Sequence, residues 1–227
     1  MQALEDEAQA RDTEHGFGLL LTTGVIQRGW LLAERGRRDE GLALMREGLA
    51  KHREIGGVVL VPPFLALVAE VNRELGRPAE GLSAVAEALM IARQCGQHYW
   101  EAELRRLAGV LTLQAQGISG RDADPTGEAE SCFLLAIEIA RRQRARWFEL
   151  RAATSLSRLW AGQGNLKEAH ALLSGVYAWF TEGWDTADLK EAKSLLDELE
   201  TRTRRGRAAS RLGRLPRRVT FEWSPGW

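Results

Sequence analysis

Glu34-Arg-Gly-Arg-Arg-Asp-Glu-Gly-Leu-Ala-Leu-Met45 returns forty residues later as Glu74-Leu-Gly-Arg-Pro-Ala-Glu-Gly-Leu-Ser-Ala-Val85, matching in residue type at most positions. The frame recurs as Gly127-Glu-Ala-Glu-Ser-Cys-Phe133 and Asn165-Leu-Lys-Glu-Ala-His-Ala-Leu-Leu173. Glu40, Glu80, Glu128 and Glu168 are then equivalent, at intervals of 40, 48 and 40 residues. A repeat of that length is the mark of a solenoid, in which each unit covers its apolar face with its neighbour. The longer interval places an eight-residue insertion in the Gly117–Pro125 stretch.

The residues around each glutamate say how a unit is built. Directly after it stands a small residue, Gly41, Gly81, Ala129 or Ala169, and four positions on an apolar one, Met45, Val85, Phe133 or Leu173. Upstream, in the same register, stand Gly29, Ala69, Gly109 and Ser157, all small. Small residues facing each other let two helix backbones approach while the larger side chain fills the adjoining groove. Gly36, Gly76 and Gly164 mark a tight turn between the two helices. Each unit is a helical hairpin, and this is packing chemistry.

Glycine and proline punctuation predicts the first helices of the four hairpins at about 17–35, 62–75, 98–115 and 147–162. The second helices are predicted at about 39–54, 78–95, 126–145 and 166–180. Pro62, Pro78 and Pro125 fall in first turns, where a missing N–H costs nothing. A last helix, from Asp185 or Thr186 to about Glu200, has apolar residues at 189, 192, 195, 196 and 199 and caps the stack. Residues 1–200 therefore read as one repeat domain. Within it, 1–14 reads as an acidic amphipathic partial repeat, which implies a longer protein upstream and an open N-terminal face suited to self-association.

The chain has 227 residues and 44% hydrophobic content, and its formal net charge is zero. That neutrality hides an asymmetry, because the stretch from Thr201 onward carries eight arginines against the single acid Glu222. With no apolar stripe, 201–227 is expected to be a disordered tail capable of weak polyanion contact. No apolar run approaches the roughly 20 residues of a membrane span, and Met1–Ala10 is acidic where a signal peptide is basic and then apolar, so a cytoplasmic chain with no membrane contact is expected.

Catalytic signatures are missing. None of the four lysines follows a glycine, which excludes a phosphate-binding Gly-Lys-Ser/Thr loop, and no GxGxxG, GxSxG or HExxH occurs. His15, His52, His98 and His170 are scattered one to a segment and read as surface or interface residues. Cys95 and Cys132 lie far apart on apolar-periodic stretches and read as core thiols. The run Arg141-Arg-Gln-Arg-Ala-Arg146 closes a helix, where positive charge complements the dipole, and reads as that rather than as a nucleic-acid patch. We expect no enzyme, no metal and no cofactor.

Function is then expected on the first helices, which line the inner surface of stacked hairpins. The repeat frame projects Trp30, Glu70, Arg106, Arg151 and Arg158 into that groove as partner-binding candidates. The arginines would clamp a protein or peptide partner's carboxylates, with Trp30 supplying apolar area.

Longer stretches carry a resemblance. His98-Tyr-Trp-Glu-Ala-Glu-Leu-Arg-Arg-Leu107, Ala136-Ile-Glu-Ile-Ala-Arg-Arg142 and Leu150-Arg-Ala-Ala-Thr-Ser-Leu-Ser-Arg-Leu-Trp160 resemble the tetratricopeptide C-terminal region of bacterial class III adenylate or guanylate cyclases fused to AAA-type ATPase modules. Val176-Tyr-Ala-Trp-Phe-Thr-Glu-Gly-Trp-Asp185 begins what looks like its closing motif. The resemblance implies an all-α, tetratricopeptide-like α-solenoid: a right-handed superhelix of about four antiparallel hairpins with a C-terminal capping helix. It implies a non-catalytic interaction or regulatory scaffold, a fragment or remnant of such a signalling protein. The alternative is the sensor domain of a signal-transducing ATPase-type transcription regulator lacking its DNA-binding domain. At about 40 residues, the pitch exceeds the 34 of the usual tetratricopeptide.

Overall fold

The computed structural model describes residues 2–115 and 124–212, with side chains over 18–115 and 124–205. Among these residues the regular structure is helical. The helices are α1 (Gln2–Glu34), α2 (Arg38–Glu54), α3 (Val61–Glu74), α4 (Pro78–Gln94), α5 (Glu101–Gln114), α6 (Pro125–Gln143), α7 (Arg146–Gln163), α8 (Leu166–Tyr177) and α9 (Ala187–Leu212). Odd and even helices pair as four hairpins, α9 closes on α7 and α8, and the odd helices from α3 to α9 pack on one another in turn.

The small residues do what their spacing implies. A Cβ at Gly29 would stand 2.6 Å from Met45 Cγ and 2.7 Å from the Gly41 carbonyl, so the α1–α2 crossing admits only hydrogen there. In the third hairpin a Cβ at Gly109 would strike the Phe133 ring at 2.6 Å. In the fourth, the larger Ser157 is accommodated because its hydroxyl donates to the Ala169 carbonyl at 3.0 Å. The turn glycines Gly36, Gly76 and Gly164 all have left-handed φ, at +88°, +69° and +90°. Pro62, Pro78 and Pro125 sit in first turns as expected. The expected insertion lies in 116–123, outside the described residues, and directly after it Asp124 caps α6 by accepting from the Gly127 N–H at 3.0 Å.

Four expectations need correction. No break separates 1–14 from the first hairpin, because α1 is continuous from Gln2; helix-interior glycine costs only about 1 kcal/mol, and no proline intervenes. Helix α9 does not stop near Glu200 but runs to Leu212, so the supposed tail is helical from 201 to 212. Arg202 pairs with Glu198, and Arg204 with Glu200, at i, i+4 spacing, while Thr201 and Thr203 hydroxyls bond back to carbonyls one turn earlier. Residues 213–227, including Trp223 and Trp227, lie outside the described residues.

The third correction concerns cysteine. Cys95 is exposed at the C-cap of α4, where the chain leaves the packed face, and Cys132 is half-buried, its thiol pushed up chiefly by burial. The last concerns His52, which is buried at 2% exposure rather than on the surface. Its Nδ1 lies 2.8 Å from the Thr22 hydroxyl of α1, and its ring meets Phe64 of α3 edge-on with centroids 5.6 Å apart. Burial drives its pKa down, so the ring is held neutral between three helices.

Candidate functional site

A cleft of about 670 Å³ opens along the odd helices. Its apolar floor is Val110 and Leu113 of α5, Phe133 of α6 and Leu159 of α7, and its walls are charged. The repeat register explains the composition. Trp30, Glu70, Val110 and Arg158 occupy one position of successive first helices; Pro63, Glu103 and Arg151 occupy another, and Ala66, Arg106 and Thr154 a third. One backbone position thus supplies both charges of a pair when adjacent repeats carry opposite signs.

The pairs join into one line. Arg73 contacts Glu70 at 3.0 Å on α3; Glu70 reaches Arg106 of α5 at 3.8 Å; and Arg106 grips Glu103 with two bonds of 2.9 and 2.8 Å. Glu103 also meets Arg151 of α7 at 3.1 Å, and Arg151 lies 3.8 Å from Asp188 of α9. Signs alternate across four helices. Beside this line Arg158 of α7 pairs with Glu191 of α9. The centre is withdrawn from water: Glu103 is 2% and Arg106 8% exposed.

Burial sets the electrostatics. It works against the Arg106 charge, but Glu103, Glu70 and Asp188 together outweigh it, so the guanidinium holds its proton more tightly than usual. Asp188 moves the other way. Burial raises its pKa, Glu191 and Glu103 add to the rise, and Arg151 and Arg106 oppose it without cancelling it. The Asp188 carboxyl is therefore held above the ordinary carboxylate range. One acceptor is left over: Glu70 Oε2 is buried without a hydrogen-bond partner.

The structure brings four of the five sequence candidates, Glu70, Arg106, Arg151 and Arg158, into this cleft. Trp30 stays outside it, half-buried against the apolar core of the first hairpins. Glu103, Arg73, Asp188 and Glu191, which supply the partners of those four residues, were not among the sequence candidates. The opposite charges of Glu103 and Arg151 at one repeat position were the available signal. Among the described residues no group of three or more His, Cys, Asp or Glu is placed to hold a metal ion, and no helix is long and apolar enough to cross a membrane.

Known proteins resemble the chain chiefly in fold. No protein-family model matches it. An uncharacterized protein of Rhizobium meliloti (strain 1021) is 31% identical over 145 residues, 64% of this chain, and that stretch spans only 13% of the relative's length. Among solved structures, the apo form of RapI is similar with a TM-score of 0.62 at 14% identity, over 83% of this chain and 66% of that one. The TPR-like repeats of a putative kinesin light chain from Podosopora anserina give 0.58 at 14%, over 84% and 90%. BtubC (BKLC) from P. vanneervenii gives 0.56 at 15%, over 94% and 99%. The fold is a tetratricopeptide-like helical-repeat solenoid.

Proposed function

We propose that the chain is a non-catalytic interaction scaffold whose odd-helix cleft takes an extended segment of a partner protein. The observation that carries this is a cleft with an apolar floor, charged walls and one buried acceptor, Glu70 Oε2, that the fold itself leaves without a donor. A partner's backbone N–H or side-chain donor completes that acceptor, and an apolar side chain covers Val110, Leu113 and Leu159. Every cleft arginine already has an internal carboxylate, so a partner carboxylate enters by exchange. Asp188 meets Arg151 only at 3.8 Å, so Asp188 is the group it displaces and Arg151 the cation it gains.

Charge reversal at Arg106 is a poor test because it strikes the buried centre. Gly162 is better: it lines the cleft, and an added Cβ there meets nothing within 4 Å. Gly162→Trp is expected to fill the cleft with the melting temperature unchanged. Proteins crosslinked to the unmodified chain and identified by mass spectrometry should disappear with this variant. An identical interactor list from both chains refutes the reading.

Self-association through α1 is a second reading with its own observation. Leu20, Leu21 and Leu31 are 71%, 57% and 54% exposed, and Gly24 between them has open space where a side chain would be. Leu20, Gly24, Gln27 and Leu31 are spaced 4, 3 and 4 apart, a pattern that reads the same in both directions. A two-fold pairing then sets each Leu20 against the other copy's Leu31, as a self-complementary interface requires. Sedimentation equilibrium should show a dimer that Leu20→Glu with Leu31→Glu abolishes; a monomer at all concentrations rejects it.

Membership of a longer cyclase–ATPase signalling protein, with the transcription-regulator sensor as the alternative, rests on the resemblance of 98–107, 136–142 and 150–160. The great length of the Rhizobium relative fits either. The coding sequence adjoining this chain decides between them: cyclase or ATPase motifs favour the first, a helix-turn-helix the second.

A further inference from the structure

Away from the cleft, the α6–α7 turn carries Arg141, Arg142, Arg144 and Arg146 within six residues. Arg144 stands where the first two hairpins have Gly56 and Gly96, once the insertion is allowed for. All three are left-handed, with φ of +81°, +66° and +56°, and Arg144 is the only non-glycine residue with positive φ among those described. Glycine takes this conformation freely, while a residue with a Cβ takes it against a steric penalty. Stability favours glycine here, so the arginine points to a use outside the fold.

What lies beside it supplies that use. A groove of about 500 Å³ has Leu172, Gly175 and Val176 of α8 as its floor, Trp179 as a wall, and Arg141 and Arg146 on its rim. It shares no lining residue with the cleft. Glu149, 3% exposed, accepts from Arg141 and from Arg146, each at 2.7 Å. One buried carboxylate thereby fixes two guanidinium groups and leaves the rim positive. The Arg146 guanidinium also lies 3.7 Å from the Trp179 ring centre. Trp179 is 63% and Trp147 43% exposed, although each has an aromatic or cationic neighbour holding it in place. Gly175 sits in a helix, where glycine is disfavoured, yet a Cβ there meets nothing within 4 Å. The space above it is the groove.

We propose that this groove is a second docking surface, for a partner-protein segment in which acidic residues flank an apolar side chain. The apolar side chain rests on Leu172, Gly175 and Val176 against Trp179, and the flanking carboxylates meet Arg141 and Arg146, with the exposed Arg144 in the turn between them adding its charge. Exposed tryptophan framed by arginine is the composition that dominates binding energy in protein interfaces. A nucleic acid fits less well. Arg146 covers one face of Trp179, Phe180 abuts Trp147 with centroids 4.9 Å apart, and Glu138 and Glu149 thin the positive field. A stacking platform needs adjacent open faces and a continuous basic track.

The test is fluorescence anisotropy on the whole chain with a short labelled peptide alternating Asp or Glu with Leu or Phe. Its controls are the same peptide with lysine for every acid, and a single-stranded oligothymidine. The acidic peptide is expected to bind, and to weaken as salt rises. Gly175→Leu, which fills the groove, should weaken it at least about tenfold with no loss of melting temperature. Arg144→Gly should weaken it about threefold while raising the melting temperature, a split that a purely structural arginine would not give. Gly162→Trp, in the cleft, should leave it unchanged, which separates this surface from the proposed scaffold site. Equal binding of the lysine peptide, tighter binding of the oligonucleotide, indifference to Gly175→Leu, or loss with Gly162→Trp each overturns the proposal.

Discussion

Helices α3 and α5 are the same helix of successive repeats, yet α5 buries an ion pair where α3 buries apolar side chains. Along α3 the buried residues are Val61, Pro62, Pro63, Phe64, Leu65, Ala66, Val68, Ala69, Val71 and Asn72, apolar but for the last. Along α5, Glu103 and Arg106 take the positions of Pro63 and Ala66. The contrast separates two ways of joining repeats. Apolar contact is non-directional and tolerates sliding of one helix on the next. A buried ion pair holds only where its atoms meet, and stranding one partner is penalised heavily. Apolar area joins both halves of the stack, and in the second a buried ion pair adds position to it.

Arg106→Ala is the severest way to break this contrast. It leaves the buried Glu103 with Arg151 alone and Glu70 with Arg73, and should cost about 3 kcal/mol in urea unfolding. Glu103→Leu with Arg106→Met should recover most of that loss, because a matched apolar pair replaces a matched charged one. A double variant as unstable as the single would mean that α5 cannot be made to resemble α3. In the apolar half, Gly41→Ala should cost about 1–3 kcal/mol by forcing α1 from α2, and its cost should be the same at high and low salt. The smallest effect is a pH dependence in that same half. His52 has a depressed folded pKa, so the unfolded chain takes up the proton first. Its contribution is complete above the ordinary histidine value of about 6.5 and is lost as pH falls below it. His52→Gln should flatten the stability profile between about pH 7 and 5; an unchanged slope would show that another group is responsible.

The hairpins were legible because their determinants are local. Glu40 and its three equivalents set the register, the small pair Gly29 and Gly41 sits twelve residues apart, and the prolines mark first turns. The charged line was only half legible. Arg106, Arg151 and Arg158 could be placed on the inner surface by periodicity, but Arg106 pairs with Glu70, and Arg151 with Glu103 and Asp188, over separations of 36 to 48 residues that no helical period reports. His52 escaped for the same reason, its partners Thr22 and Phe64 lying on two other helices. Helix α9 was read too short because an arginine-rich stretch offers no apolar stripe; its i, i+4 acids lie upstream, inside the part already assigned.

That helix is tied to the stack from its first turn to Arg202. Near its first turn Asp188 and Glu191 belong to the cleft wall, and farther along Arg202 donates to the Ala161 carbonyl at 2.9 Å. The ten residues beyond Arg202 extend about 15 Å. Between the first turn and Arg202 its buried stripe, Leu189 to Leu199, packs into the core of the last hairpin. The wall of the cleft is thereby part of the cap itself, so whatever loosens the cap also loosens the cleft.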